Sequence, residues 1–418
     1  MPILHPAQII DRPCGHGKTN ELIANLTPHD TYLIVVPYLS EVTRVIEGAA
    51  KNGIEIVEPS IDSDGMTKRD HLLTLASANK NIVTTHAMLP RLSEAAIAGL
   101  FADYTVIIDE VVDAVKPLSR NPSKGSWDEL YVAKGFVKVD PETGQVFPTQ
   151  HWIDTHEAIS DSLSVEVYNA AKSGTLYVHD SNTLVWALPK QLLNAGKALL
   201  VYTYLSRGSM MVSYLDRVGI PYAIDSLPAV EMEHVRKARD LITVKLLKNL
   251  TDLKFSYSGQ KAMPHGAAKK VAKTLSNLAS RDLKDVPREN IIVTCSKESW
   301  FEGNRSHADL EGTGRVAKAG KFARDSRLFA ANWLPNTTRG SNLWSHCSDV
   351  IYLYDQHPSP AVKHWLGMKG DWQDEYALSE CVQLVWRSRV RKGEPISVYF
   401  TSQRMYNLFT AYLNSTVE

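Results

Sequence analysis

Apolar residues in the first 110 positions come in short runs, separated by longer stretches in which they recur every three or four residues. Short apolar runs between turn residues predict buried strands, and the longer periodic stretches predict helices. The expected strands are 8–10, 32–36, 54–57, 81–84 and 105–108, with helices near 18–27, 39–52, 67–79 and 87–101. That alternation indicates an α/β fold on a parallel sheet. Residues 114–198 read differently. Runs 137–140 and 145–147 flank the turn sequence Pro141-Glu142-Thr143-Gly144, and runs 176–179 and 184–187 flank Asp180-Ser181-Asn182. Two hairpins in a partly β insertion are expected there. The α/β rhythm returns with a strand at 198–202 and a helix near 208–218. A second series follows, with strands at 241–247, 290–294, 328–332, 350–353 and 396–401 and helices near 266–281 and 375–389. The expected architecture is two tandem parallel-sheet domains, 1–230 and 231–418, with the insertion 114–198 in the first.

Composition narrows the class without naming it. A chain of 418 residues exceeds one ordinary hydrophobic core. With 44% hydrophobic and 22% charged residues it is neither collagen-like, nor a disordered polymer, nor a disulfide scaffold. No run approaches the roughly 20 apolar residues of a membrane helix. Met1-Pro2-Ile3-Leu4-His5-Pro6 lacks a basic region followed by an apolar run, so a cytoplasmic chain with no membrane partner is expected. Cys14, Cys295, Cys347 and Cys381 are scattered, and the histidines lack the spacing of a zinc protease. No structural metal is expected. Lys+Arg and Asp+Glu both number 46, so bulk charge decides nothing about a nucleic-acid partner. The oligomeric state is open, a monomer being compatible with all of this.

The first candidate for chemistry is Arg12-Pro13-Cys14-Gly15-His16-Gly17-Lys18-Thr19, between an expected strand and an expected helix. Glycines let backbone N–H groups of Gly15, His16 and Gly17 close around phosphates, and a helix N-terminus favours negative charge. Lys18 would reach the β- and γ-phosphates of ATP, and Thr19 would place its hydroxyl on Mg²⁺. Arg12 stands where the general phosphate-loop pattern begins with glycine. A glycine-rich turn that only caps a helix is the plainer alternative. The second half of such a site is a buried strand ending in carboxylates, supplied by Val106-Ile107-Ile108-Asp109-Glu110. Asp109 would hold Mg²⁺, and Glu110 would orient and deprotonate the attacking water.

With these residues in place the chain resembles the superfamily 2 helicases and translocases, in the motif order of that family. Residues 35–41, with Pro37, resemble motif Ia, and 83–87, with Thr84 and Thr85, resemble motif Ib; both hold nucleic acid in the family. Asp109-Glu110-Val111-Val112 resembles the DExx box, with Asp113 one step beyond its usual last position. Residues 201–206 fall at motif III, where Tyr202-Thr203-Tyr204 replaces Ser-Ala-Thr. In the second domain, 291–298 resemble motif IV. Residues 330–332 and 337–342 resemble motif V, which implies nucleic-acid contacts for Thr338 and Arg339 and a nucleotide contact for Asn342. Gln383-Leu384-Val385-Trp386-Arg387-Ser388-Arg389-Val390-Arg391 resembles motif VI. Gln383 and Arg387 match it, while Val390 occupies the second arginine position, leaving Arg389 or Arg391 to substitute. If the segment is helical, Arg391 shares the face of Arg387. The resemblance covers the chain apart from the insertion and is nearest in form to compact phage-encoded members. It implies two RecA-like domains, ATP and Mg²⁺ as cofactors, and a nucleic-acid partner, DNA ahead of RNA.

Two other classes compete: a terminase-like packaging ATPase, against which the arginine motif counts, and a non-enzymatic nucleotide-dependent regulator. Basic residues gather between 261 and 330, among them Lys270, Lys297 and Arg324. They suit either a phosphate-tracking surface or solvated helix faces. Trp152, Trp186 and Tyr177 in the insertion suit either base stacking or core packing.

Overall fold

Ile224, Ile9, Val201, Ile108, Val35 and Thr84 stand side by side in one row across six parallel strands. The four central members of that row are fully buried, as strands covered on both faces must be. In the computed structural model, which describes residues 6–61, 66–110, 112, 114–118, 127–155, 162–180, 183–338 and 340–415, these strands form the first of two sheets. Its order is Tyr222–Ser226, Ala7–Asp11, Ala198–Thr203, Tyr104–Asp109, Thr31–Val36, Ile82–Thr85. Val111, Asp113, Arg339 and the Ser181-Asn182 part of the second hairpin turn lie outside the described residues.

The second sheet has the order Ile242–Leu246, Ile396–Phe400, Asp349–Tyr352, Ile291–Thr294, Asn332–Trp333, again parallel throughout. Its core gathers around Val293, Ile351 and Tyr399, with Leu275 from the His265–Ser280 helix and Trp300 from the short Lys297–Trp300 helix. The fold is thus two parallel-sheet α/β domains with a partly β insertion in the first.

By its contacts the chain divides into two compact units. One runs through Arg12, His16–Ser226 and Pro358–Trp372; the other takes Pro13–Gly15, Leu227–His357 and the chain from Gln373 onward. The insertion builds its own small core from Trp127, Tyr131, Trp152, Val167, Tyr168 and Leu176. Both expected hairpins form, Val137–Val139 with Val146–Pro148 and Leu176–His179 with Thr183–Ala187. Trp152 and Tyr177 are buried within unit one, which removes them as stacking platforms, whereas Trp186 is half-buried beneath Lys116.

Three expectations fail locally. Residues 54–57 bury Ile54 and Ile56 but make a single bridge, Val57 to Ile82, instead of a ladder. Gly53 at φ 72° precedes the run and Pro59 follows it, leaving no length for pairing. In 328–332 only Asn332 enters the sheet, because Leu328 and Ala331 are apolar for packing and not for pairing. The helix expected to 389 ends at Val385. Ser388 is extended and Arg389 N–H donates to the Cys347 carbonyl at 3.0 Å, drawing the chain out of the helix. Arg391 then sits in a separate 3₁₀ turn, Arg389–Lys392, so the shared helical face of Arg387 and Arg391 does not exist.

Candidate functional site

Neighbouring parallel strands place their C-terminal ends together, and the first unit puts its chemistry there. Register pairs Ile10 with Tyr202 and Tyr202 with Asp109, so the chain after Asp11 and the chain after Asp109 leave the sheet on the same edge. After Asp11 the backbone makes a loop in which Gly15 and Gly17 hold φ of 85° and 95°, a region open to glycine at little cost. Gly17 is the N-cap of the Lys18–Ala24 helix. The loop tip, Gly15 and His16, is exposed, while Lys18 and Thr19 are buried.

The two halves meet. Thr19 Oγ1 donates to Asp109 Oδ2 at 2.8 Å, and Lys18 Nζ lies 3.6 Å from Glu110 Oε1. Lys18 Nζ also reaches the Arg12 carbonyl at 3.5 Å. Glu110 holds φ at 61°, a conformation that costs a non-glycine residue on the order of 1–3 kcal/mol and persists where surroundings impose it. His86 Nε2 lies 2.9 Å from the Asp109 carbonyl oxygen, joining the chain after the Ile82–Thr85 strand to the carboxylate strand.

Burial raises the Asp109 carboxyl to about 6, with the neighbouring Glu110 charge adding to the rise and the Thr19 hydroxyl and Lys18 opposing it. Asp109 Oδ1 is buried without a hydrogen-bond partner among the described residues. A buried carboxylate with an unmet oxygen, beside a threonine hydroxyl, is the donor set a hard divalent cation takes. The residues therefore fit Mg²⁺.

Sequence reasoning missed Arg12, treating it only as a departure from glycine. Arg12 is 5% exposed, and its guanidinium donates to Glu21 Oε1 at 3.0 Å and to Asp225 Oδ2 at 2.8 Å. It also donates to the Asp225 and Asp11 carbonyls. One side chain thus ties the start of the loop to the first helix and to the edge strand Tyr222–Ser226. Nothing local in the sequence signals it, since Asp225 lies over 200 residues away.

The other candidates separate into buried and accessible. Thr84 is buried in the sheet row described above, whereas Pro37 and Thr85 are half-buried at its edge. In the second unit Gln383 and Arg387 are both 3% exposed. Arg387 Nε donates to the Gln383 carbonyl at 3.0 Å and Nη1 to the Ser341 carbonyl at 3.4 Å, linking the arginine segment to the loop that carries Ser341 and Asn342. Arg389 Nε donates to Pro395, and Arg391 is half-buried. Thr338 is buried, its hydroxyl donating to the Pro335 carbonyl, and Asn342 is exposed. Several of the basic residues between 261 and 330 have acidic partners: Lys270 with Asp252, Lys297 with Asp309, Arg324 with Glu302. Those pairs favour the solvated-face reading for their part of the cluster.

Two parallel sheets with a glycine-rich loop on the edge of the first define a helicase-like α/β fold of RecA-like and Rossmann-like domains. The comparisons agree at that level. Residues 236–413 match the family described as the YonV C-terminal Rossmann-like domain. Over 98% of both chains the protein is 27% identical to the SPbeta prophage-derived uncharacterized protein YonV of Bacillus subtilis (strain 168). An apo structure of XPD superposes with a TM-score of 0.52 at 13% identity, covering 98% of this chain and 96% of that one. That last likeness is one of fold.

Proposed function

We propose that the protein is an ATP-dependent nucleic-acid helicase or translocase. The observation that carries this reading is the convergence of Lys18 and Thr19 with Asp109 and Glu110, 2.8 and 3.6 Å apart at the closest approach of each pair. Backbone N–H groups of Gly15, His16 and Gly17 cradle the phosphates of ATP, and Lys18 neutralises their charge. Thr19 and Asp109 would hold Mg²⁺, which when bound would supply charge neutralisation at the phosphates. Glu110 orients a water and accepts its proton as the water oxygen bonds the γ-phosphorus and the bond to the β-phosphate oxygen breaks. The carboxylate of Glu110 already lies beside Lys18, so its charge is held where the nucleophile is needed.

Gln383, Arg387 and Arg391, and the nucleotide contact of Asn342, are assigned to the same reaction on the motif resemblance. Pro37, Thr84, Thr85, Thr338 and Arg339 are assigned to nucleic acid on the same ground, and DNA is the partner proposed before RNA. The test is ATP hydrolysis measured alone and with single-stranded DNA, duplex DNA or RNA. Stimulation by one of them supports a translocase and names its track. Hydrolysis indifferent to all three refutes the nucleic-acid part, and absence of hydrolysis refutes the whole.

A further inference from the structure

Residues Pro358–Trp372 leave the second unit in sequence and pack with the first. The base of this excursion is tied in unit two by Arg404, which donates to Asp355 Oδ1 at 3.0 Å and the Gln356 carbonyl at 2.8 Å on one side, and to Asp374 Oδ1 at 2.8 Å and the Gln373 carbonyl at 3.2 Å on the other. Its tip is the Pro360–Trp365 helix. Trp365 is buried, edge-on to Tyr177 at 5.1 Å and stacked on Tyr214 at 6.0 Å. The neighbouring His364 lands on the end of the Leu176–His179 strand, where His179 and Asp180 await it.

His364 Nε2 lies 2.7 Å from Asp180 Oδ2, and His179 Nε2 lies 3.6 Å from the same oxygen. The ligand atoms of the three residues all fall within 4.8 Å of one another, and the two rings stand 4.6 Å apart. A tetrahedral zinc ion with bonds of about 2.0–2.1 Å needs donors spaced about 3.3 Å apart. The spacings found bracket that value. Asp180 holds φ at 50°, a left-handed turn conformation that aspartate tolerates better than most residues.

We propose that His179, Asp180 and His364 bind a divalent transition metal, zinc, which clasps the 358–372 strap onto the insertion hairpin. Two imidazoles with one carboxylate select zinc and its transition-row neighbours over Mg²⁺ or Ca²⁺, which take oxygen donors. Three protein ligands leave a fourth position to water, and the exposure of His364 and Asp180 gives the ion a path in. Neutral imidazole is the ligating form. None of these residues belongs to the ATP site, and the site stands whether or not the protein is a helicase.

The experiment titrates the full chain, stripped of metal by a chelator, with ZnCl₂. One zinc per chain is expected, with visible absorption when Co²⁺ replaces it. His179→Ala and His364→Ala should each weaken binding at least about a hundredfold, since even an outer-shell change costs about 10–100-fold. Asp109→Asn should bind zinc like the parent, which separates this site from the phosphate loop. Melting without metal checks the fold; His364, 62% exposed at its side chain, decides if His179→Ala proves unstable. No zinc uptake by the parent, uptake undiminished in His364→Ala, or loss in Asp109→Asn overturns the site.

Discussion

Asp109→Asn should make the ligand-free protein more stable at neutral pH while ending its ATP hydrolysis. Asp109 is 3% exposed, and burial beside Glu110 raises its carboxyl from 3.8 to about 6. A raised carboxylate value means that the folded state holds the proton more tightly than the unfolded one. The resulting penalty is absent well below 3.8, grows as pH rises toward about 6, and is complete above it. At about 1.4 kcal/mol per pH unit it amounts to about 3 kcal/mol near pH 7.5, roughly 1.5 near pH 5 and roughly 0.5 near pH 4. Asparagine removes the charge, and its amide oxygen still accepts from the Thr19 hydroxyl. For a unit of this size a gain of about 3 kcal/mol raises the melting temperature by as much as about 6–12 °C. The assay is thermal and urea unfolding of parent and variant across that pH range without nucleotide, alongside steady-state hydrolysis with Mg²⁺. A variant less stable than the parent at neutral pH, or an advantage that does not shrink on acidification, refutes the reasoning.

Lys18→Ala should abolish hydrolysis and ATP binding together, whereas Glu110→Gln should retain binding and lose turnover, because an amide cannot take the water's proton; normal turnover in Glu110→Gln would remove that role. Arg12→Lys should lower stability by about 1–2 kcal/mol, because an ammonium cannot reproduce the fork to Glu21 and Asp225, whose partial exposure limits the loss; an unchanged melting curve would count against the clamp. Trp152→Ala should destabilise the insertion core by about 3–5 kcal/mol, the range for deleting a buried aromatic, visible as hydrogen exchange around Trp127, Tyr131 and Tyr168. Exchange that stays unchanged there would show that Trp152 does not hold this core.

The parallel sheets were legible because a strand buried on both faces has to carry a near-continuous apolar run, as residues 32–36 and 106–108 do. The same rule over-reads segments such as 328–332, where apolar residues fill a core without joining a ladder. The meeting of Lys18 and Thr19 with Asp109 and Glu110 was legible for a different reason. A phosphate loop and a carboxylate strand each carry their chemistry within a few consecutive residues, and the parallel register brings both to one edge. Helix ends were less legible. Nothing in 383–391 announces that Arg389 will bond the Cys347 carbonyl, so a periodicity extending past Val385 was read as helix.

What stayed hidden is what depends on partners far apart in the chain. Arg12 reads as a defect in the loop until Asp225 arrives from the far edge strand, and the adjacent His179 and Asp180 read as a turn until the strap sets the distant His364 on Asp180. The strap also changes what the insertion is. A segment whose own core is built from Trp127, Trp152 and Tyr168 looks removable, yet Tyr177 from its second hairpin covers Trp365 and Asp180 meets His364. Cutting out residues 121–190 would strip both contacts from the strap and expose a buried tryptophan, so loss of activity in that deletion would not by itself locate a nucleic-acid surface. Point changes that keep the strap seated, such as Trp186→Ala beneath Lys116, separate the two effects, because Trp186 is half-buried against the insertion core and, among the described residues, makes no hydrogen bond to the strap.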